Sequence, residues 1–224
     1  MKSELEISET ALTERQKDVL DAALALLVEA GDKLTMTSVA RRASCSKESL
    51  YKWFGDRDGL LTATVQWQAS KVRGVPVSRD AFDRDALVTG LERFAVDWLR
   101  VLSGKISVAL NRVAVTHAGT DKHGLGRDLG NIVLENGPFA MARRLEPVLL
   151  LGREAGLLQF ETTDEAFRTF FGLVVRDVQI RLLLGDRFEL GEAAIERDAQ
   201  RATGQFLALY KPDKAGSQTT GKQY

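Results

Sequence analysis

The chain has 224 residues, enough for one large domain or for a small domain joined to a larger one. Hydrophobic side chains make up 44% of it, which supports a packed core and excludes wholesale disorder. Its 31 basic and 31 acidic side chains cancel, which excludes a protein coated in positive charge but leaves room for a local basic face.

The single cysteine, Cys45, excludes an internal disulfide framework and fits a reducing compartment. No apolar run approaches the roughly 20 residues that a bilayer span needs. Residues 1–12, with Lys2 against Glu4, Glu6 and Glu9, read as a flexible arm without an apolar signal core. A cytoplasmic location without a membrane segment is the expectation.

Apolar residues recur at three- and four-residue spacing without sustained alternation, so the predicted fold class is all-α. The first helix starts at Thr13, where the hydroxyl can cap while Gln16 reaches back. Val19, Leu20, Ala23, Leu24 and Leu27 form its buried stripe, and Gly31 ends it. Two short helices follow at 37–43 and 47–54, capped by Thr37 and Ser46, then a longer one at 57–72. The stretch Gly74-Val75-Pro76-Val77-Ser78 breaks the pattern and divides a first domain, 13–73, from a second, 74–210. Helices are predicted there near 82–103, 105–118, 125–135, 138–155, 164–184 and 191–210. Pro147 should kink or break the fourth of these. Thr162 with Glu165 marks the start of the fifth. A polar tail occupies 211–224.

The stretch from Thr37 to Phe54 is the informative one. Two helices this short are unstable alone and need a third to cover their apolar sides. Val39, Ala40, Ala43, Cys45, Leu50 and Phe54 supply that inner side, which leaves Lys47, Ser49, Tyr51, Lys52 and Trp53 on or near the outer one. This is a helix-turn-helix pattern, whose second helix enters the major groove of DNA. Between positions 33 and 57, Lys33, Arg41, Arg42, Lys47, Lys52 and Arg57 outnumber Glu48 and Asp56 for a net +4. Basic residues on short helices are also often plain solvated surface, and charge alone does not separate the two readings.

At these residues the sequence resembles the TetR family of repressors. The resemblance rests on Thr37, Val39-Ala40, Ala43, Ser46, Leu50-Tyr51 and Phe54, followed by Gly55-Asp56-Arg57-Asp58-Gly59-Leu60-Leu61. It covers about residues 13–65 with family-like spacing. It implies an N-terminal three-helix DNA-binding domain, a helical C-terminal domain for ligand binding and dimerisation, and a DNA-contacting set of Thr37, Ser38, Arg41, Ser46, Lys47, Ser49, Tyr51, Lys52, Trp53 and Arg57. Within that set, Thr37, Ser49, Tyr51 and Arg57 would hold phosphates, and Lys47 and Lys52 would reach base edges. Ser44-Cys45 stands where the family often has Gly-Val, which predicts mild backbone strain at Ser44. Glu48 stands at a frequent glycine position, and Trp53 where His or Tyr is common.

In the second domain, Gly156-Leu157-Leu158, Phe170-Phe171-Gly172-Leu173 and Arg181-Leu182-Leu183-Leu184-Gly185-Asp186 look similar to the AefR-like subgroup. The helix near 164–184 is apolar on more than one side. A dimer interface is therefore expected from Phe167, Phe170, Val174, Val178, Leu182, Ile195, Ala199 and Phe206, with ordinary core packing as the other reading. Candidate ligand-pocket residues are Phe94, Trp98, Asn111, His117, Phe139, Phe171 and Asp177.

His117 and His123 are six apart and share no helix face, so even with Asp121 between them a metal site is not expected. No phosphate loop, nucleophile elbow or Cys–His pairing occurs, and Cys45 in the turn reads as an apolar filler rather than a redox sensor. No enzyme activity and no cofactor are expected. The predicted partners are operator DNA, a second copy of the chain and a small-molecule effector. The predicted function is a ligand-responsive repressor released from a palindromic operator. The alternatives are a TetR-type activator and a helical ligand-binding or interaction module without operator binding.

Overall fold

The structure, a computed structural model, describes residues 12–30, 34–76, 79–117 and 125–212. Most of the N-terminal arm, Gly31, Lys33, Asp121, His123, the side chain of His117 and the tail beyond 212 lie outside the described residues.

Every regular element among the described residues is helical. In chain order they are α1 (Glu14–Ala30), α2 (Met36–Arg42), α3 (Lys47–Phe54), α4 (Arg57–Ser70), α5 (Arg84–Ser103), α6 (Lys105–His117), α7 (Leu125–Asn136), α8 (Pro138–Glu154), α9 (Thr163–Val175), α10 (Val178–Leu183) and α11 (Glu192–Leu209). A 3-10 turn, Arg79–Ala81, precedes α5.

Caps set the helix starts. The Thr13 hydroxyl accepts from the Gln16 amide at 3.2 Å while the Gln16 side chain accepts from the Thr13 amide at 2.9 Å. That is the reciprocal pair expected from sequence. Thr162 likewise accepts from the Glu165 amide. One cap differs: α2 is capped by Thr35, whose hydroxyl accepts from the Ser38 amide while the Ser38 hydroxyl accepts from the Thr35 amide. Thr37 lies inside the first turn instead. Two overlapping threonine signals compete here, and only Thr35 has an oxygen placed three residues before a serine that can answer it.

Two buried clusters organise the chain. The first packs Val19, Leu20, Ala23 and Leu27 of α1 against Val39 and Ala40 of α2, Leu50 and Phe54 of α3, and Leu60 and Leu61 of α4. Leu110 and Ala114 of α6 and Leu129 of α7 belong to the same cluster. The second joins α5, α8, α9 and α11 through Leu91, Phe94, Trp98, Leu145, Phe167, Phe170 and Phe206. Phe170 meets Phe206 edge-on with ring centroids 5.2 Å apart, a favoured aromatic geometry.

This packing corrects three expectations. Pro147 does not break α8, which runs through it to Glu154. The proline sits on the exposed side while Leu145, Val148 and Leu149 are fully buried, so packing holds the helix across the one missing donor. The helix predicted at 164–184 is two helices, because Arg176 adopts φ 46° and ends α9.

The third correction concerns the interface set. Phe167, Phe170, Val174, Val178, Ile195, Ala199 and Phe206 are all buried within the single chain, so their side chains face its own core and not a partner. Leu182 is half-buried, and its carbonyl accepts from Arg112 of α6. The apolar excess of these helices is taken up by α5 and α8 of the same chain.

Candidate nucleic-acid interface

Residues 34–59 form the candidate site. The Ser46 hydroxyl accepts from the Ser49 amide at 3.1 Å and starts α3. Gly55, at φ 77°, ends it with its amide donating to the Tyr51 carbonyl, a backbone conformation that a side chain would oppose. A second glycine sets the next approach: a Cβ on Gly59 would lie 2.0 Å from the Phe54 carbonyl oxygen, so α4 starts in direct contact with the end of α3.

Within α3 the four-residue spacing separates two sides. Leu50 and Phe54 are buried, whereas Lys47 and Tyr51, and beside them Glu48 and Lys52, face out. Tyr51 is 52% exposed, which for a large aromatic residue on a two-turn helix leaves the ring and hydroxyl available. Thr37 and Arg41 of α2 and the Ser46 cap are exposed as well, and Ser49 is half-buried.

Other predicted contacts are engaged inside the domain. Ser38 is half-buried and its hydroxyl completes the Thr35 cap by accepting from the Thr35 amide. Trp53 is half-buried against the N-terminal core, edge-on to Phe54 at 6.2 Å, so it is a packing residue more than an outward one. The Arg57 Nε donates to the Leu34 carbonyl at 2.8 Å, tying the start of α4 to the segment before α2. Arg42 forms a two-pronged pair with Glu29 of α1 at 2.7 and 2.9 Å. Of the positive charge counted in this region, Arg41, Lys47 and Lys52 remain outward among the described residues.

Glu48 sits among them. Its carboxyl is held below the usual carboxylate range, first by its own backbone amide and then by the Ser46 hydroxyl. It stays ionised at neutral pH beside the Lys47 ammonium.

Ser44 has φ 50°, the strained turn that its side chain predicted. Two carbonyls there receive a donor that sequence reasoning missed. The Arg15 guanidinium donates to Ala43 O at 2.6 Å and to Ser44 O at 2.8 Å. Nothing in local spacing relates Arg15 to a turn 28 residues away.

The candidate pocket residues are dispersed. Phe94, Trp98 and Phe171 meet in one aromatic cluster, with Trp98 5.7 Å from Phe94 and 5.0 Å from Phe171. Asn111 bonds the Ser107 carbonyl in its own helix, Phe139 is exposed, and Asp177 is exposed and paired with Arg181. A cleft of about 510 Å³ lies between the segment after α4 and α5, walled by Arg73, Val75, Pro76, Thr89, Arg93 and Phe94. Of the predicted residues only Phe94 reaches it.

Residues 19–64 match the profile described as bacterial regulatory proteins, tetR family. Residues 89–212, more than half of the chain, match the AefR-like transcriptional repressor C-terminal domain. The chain belongs to the TetR family. A TetR transcriptional regulator from Agrobacterium tumefaciens is 45% identical, with a TM-score of 0.75 over 91% of this chain and 97% of that one. The flavonoid-responsive regulator FrrA is 28% identical, with a TM-score of 0.65 over 89% of this chain and 98% of that one.

The HTH-type transcriptional regulator BetI of Burkholderia cenocepacia is 38% identical over 77 residues, which is 31% of this chain. The chain spans only 40% of that curated relative's length. The TetR assignment makes this chain a transcriptional regulator with a DNA-binding helix-turn-helix, the architecture that α1 to α3 display.

Proposed function

We propose that this TetR-family chain is a homodimeric repressor that a small molecule releases from a palindromic operator. The observation that carries the reading is the division of α3. Leu50 and Phe54 anchor the helix while Lys47, Tyr51 and Lys52 point away from the core. A helix presented in this way can lie in the major groove, with lysines directed at guanine acceptors and Tyr51 at a phosphate. The AefR-like repressor profile over 89–212 supports repression over activation. The work is done where DNA is, in the cytoplasm.

Dimerisation is assigned to a different surface from the one predicted by sequence. Ile180 of α10 and its C-cap Leu184 are 53% and 81% exposed, and Leu209 is 65% exposed at the end of α11. The spaces beside Gly172 and Gly204 are open. A second copy packed there would bury this apolar surface, and the dimer would offer one α3 helix to each half of an operator.

The effector site is assigned to the cleft beside Phe94. Its size lies within the range of small-molecule pockets, and it touches the segment that joins α4 to α5. A ligand preferring one position of that segment would shift the spacing of the α3 helices. The flavonoid response of FrrA supports a small-molecule effector.

Gel retardation of DNA from beside the chain's own gene tests the reading. Sequence-specific retardation is the expected result. No retardation even at low salt would favour a helical ligand-binding module instead.

A further inference from the structure

Helix α2 ends in a turn that glycine usually occupies. The Cys45 amide donates to the Ala40 carbonyl at 3.0 Å and the Ser44 amide to the Arg41 carbonyl at 3.3 Å. This pair of bonds defines a Schellman ending, which places the residue after the cap in the left-handed region. That residue is Ser44, at φ 50°. A serine there relaxes to negative φ unless its surroundings hold it. Such a relaxation would swing the chain that enters α3, because Ser46, two residues on, is the α3 cap.

The Ala43 and Ser44 carbonyls flank the strained residue, and Arg15 of α1 donates to both from one terminal nitrogen. Arg15 also lies 3.9 Å from Asp18, one turn along α1, which holds the guanidinium on that side of the helix. A cation that fixes two successive carbonyls fixes the two peptide planes on either side of Ser44, and with them its φ and ψ. The α2 end is thereby referenced to α1, the helix that also packs against α4 and α6.

We infer that Arg15 is a positioning residue for DNA recognition: without touching the duplex, it holds Ser44 in its left-handed conformation and so sets the angle at which α3 meets the groove. The inference rests on the operator-binding reading above. It adds a requirement on α1 that no residue of the outward face carries.

The test uses the full chain and two short duplexes: one enriched by the wild type from a randomised pool, and a scrambled one of the same composition. Arg15→Met should bind the enriched duplex about tenfold more weakly, the scale of one lost base contact. Binding to the scrambled duplex, and its salt dependence, should be unchanged. Arg15→Lys should rescue little, since an ammonium lacks the planar fork. In a Ser44→Gly background the same Arg15→Met change should cost almost nothing, because glycine adopts φ 50° without strain.

A salt slope lowered by about 0.9 on both duplexes would instead make Arg15 a phosphate ligand and overturn the inference. An Arg15→Met loss that persists undiminished beside Ser44→Gly would overturn it too, as would Arg15→Met binding the enriched duplex like wild type. A wild type that enriches no sequence would overturn the operator reading itself, a result distinct from these.

Discussion

The Gln68 side-chain amide donates to the Ser107 hydroxyl at 2.9 Å, and both residues are buried. Gln68 is on α4, which starts against the recognition helix, and Ser107 is on α6 of the C-terminal domain. Lys71 donates to the other end of the same amide at 3.0 Å, so the group is satisfied from two sides. A polar link of this kind fixes the register of two helices more sharply than apolar contact does, because slippage leaves buried donors unpaired.

Ser107→Ala should therefore cost about 1–3 kcal/mol of stability, the penalty for leaving the Gln68 donor buried without its partner. Urea unfolding measures it. Pairing Ser107→Ala with Gln68→Leu should recover much of the loss, as both polar groups are then gone. Equal losses in the single and double variants would show that the link is not the cause.

On the outward face, Lys52→Ala and Tyr51→Phe should separate by kind. Lys52→Ala should relax discrimination at one base pair by about 1–3 kcal/mol. Tyr51→Phe should weaken all duplexes alike and leave the salt slope unchanged, since the phenol carries no charge to release a counterion. Titrations at several salt concentrations read both. Wild-type behaviour in both variants would remove this side of α3 from the interface.

Acid should loosen the contact between α1 and α2. The hydrogen bond from Arg42 holds the Glu29 carboxyl below the ordinary glutamate range. A depressed carboxylate pKa contributes stability above its unfolded value, and the contribution disappears as pH falls through the folded value. Between about pH 5 and about pH 3, the wild type should lose more stability than Glu29→Gln does. Parallel pH profiles for the two proteins would show that the pair is energetically idle, as exposed pairs sometimes are.

At the proposed dimer face, Ile180→Glu combined with Leu184→Glu should yield monomers by sedimentation while leaving helical content intact, because both side chains are exposed in the single chain. Operator affinity should fall with dimerisation, since each copy then binds one half-site alone. Unchanged dimers would place the two-fold axis elsewhere.

Much of the N-terminal domain was legible in the sequence because its determinants are local. The Thr13 and Ser46 caps, the Leu50 and Phe54 pair one helical turn apart, and the unusual Ser44 turn each act over a few residues. What escaped depends on partners distant in the chain. Arg15 carries no local signal, Arg42 counts only as positive charge and Arg57 reads as a phosphate contact; only the fold shows them bonded to Ser44, Glu29 and Leu34. The interface set failed for a related reason. An apolar helix shows that it is covered, but not whether the cover is its own chain, and Phe170 finds Phe206 of α11.

The N-terminal core recruits Leu110, Ala114 and Leu129 from α6 and α7. A hybrid regulator made by exchanging DNA-binding modules at the break near residue 74 would therefore cut through a shared hydrophobic interior. The transplanted module would meet foreign side chains at those three positions, and grafts that carry them along should hold together better than grafts that stop at the linker.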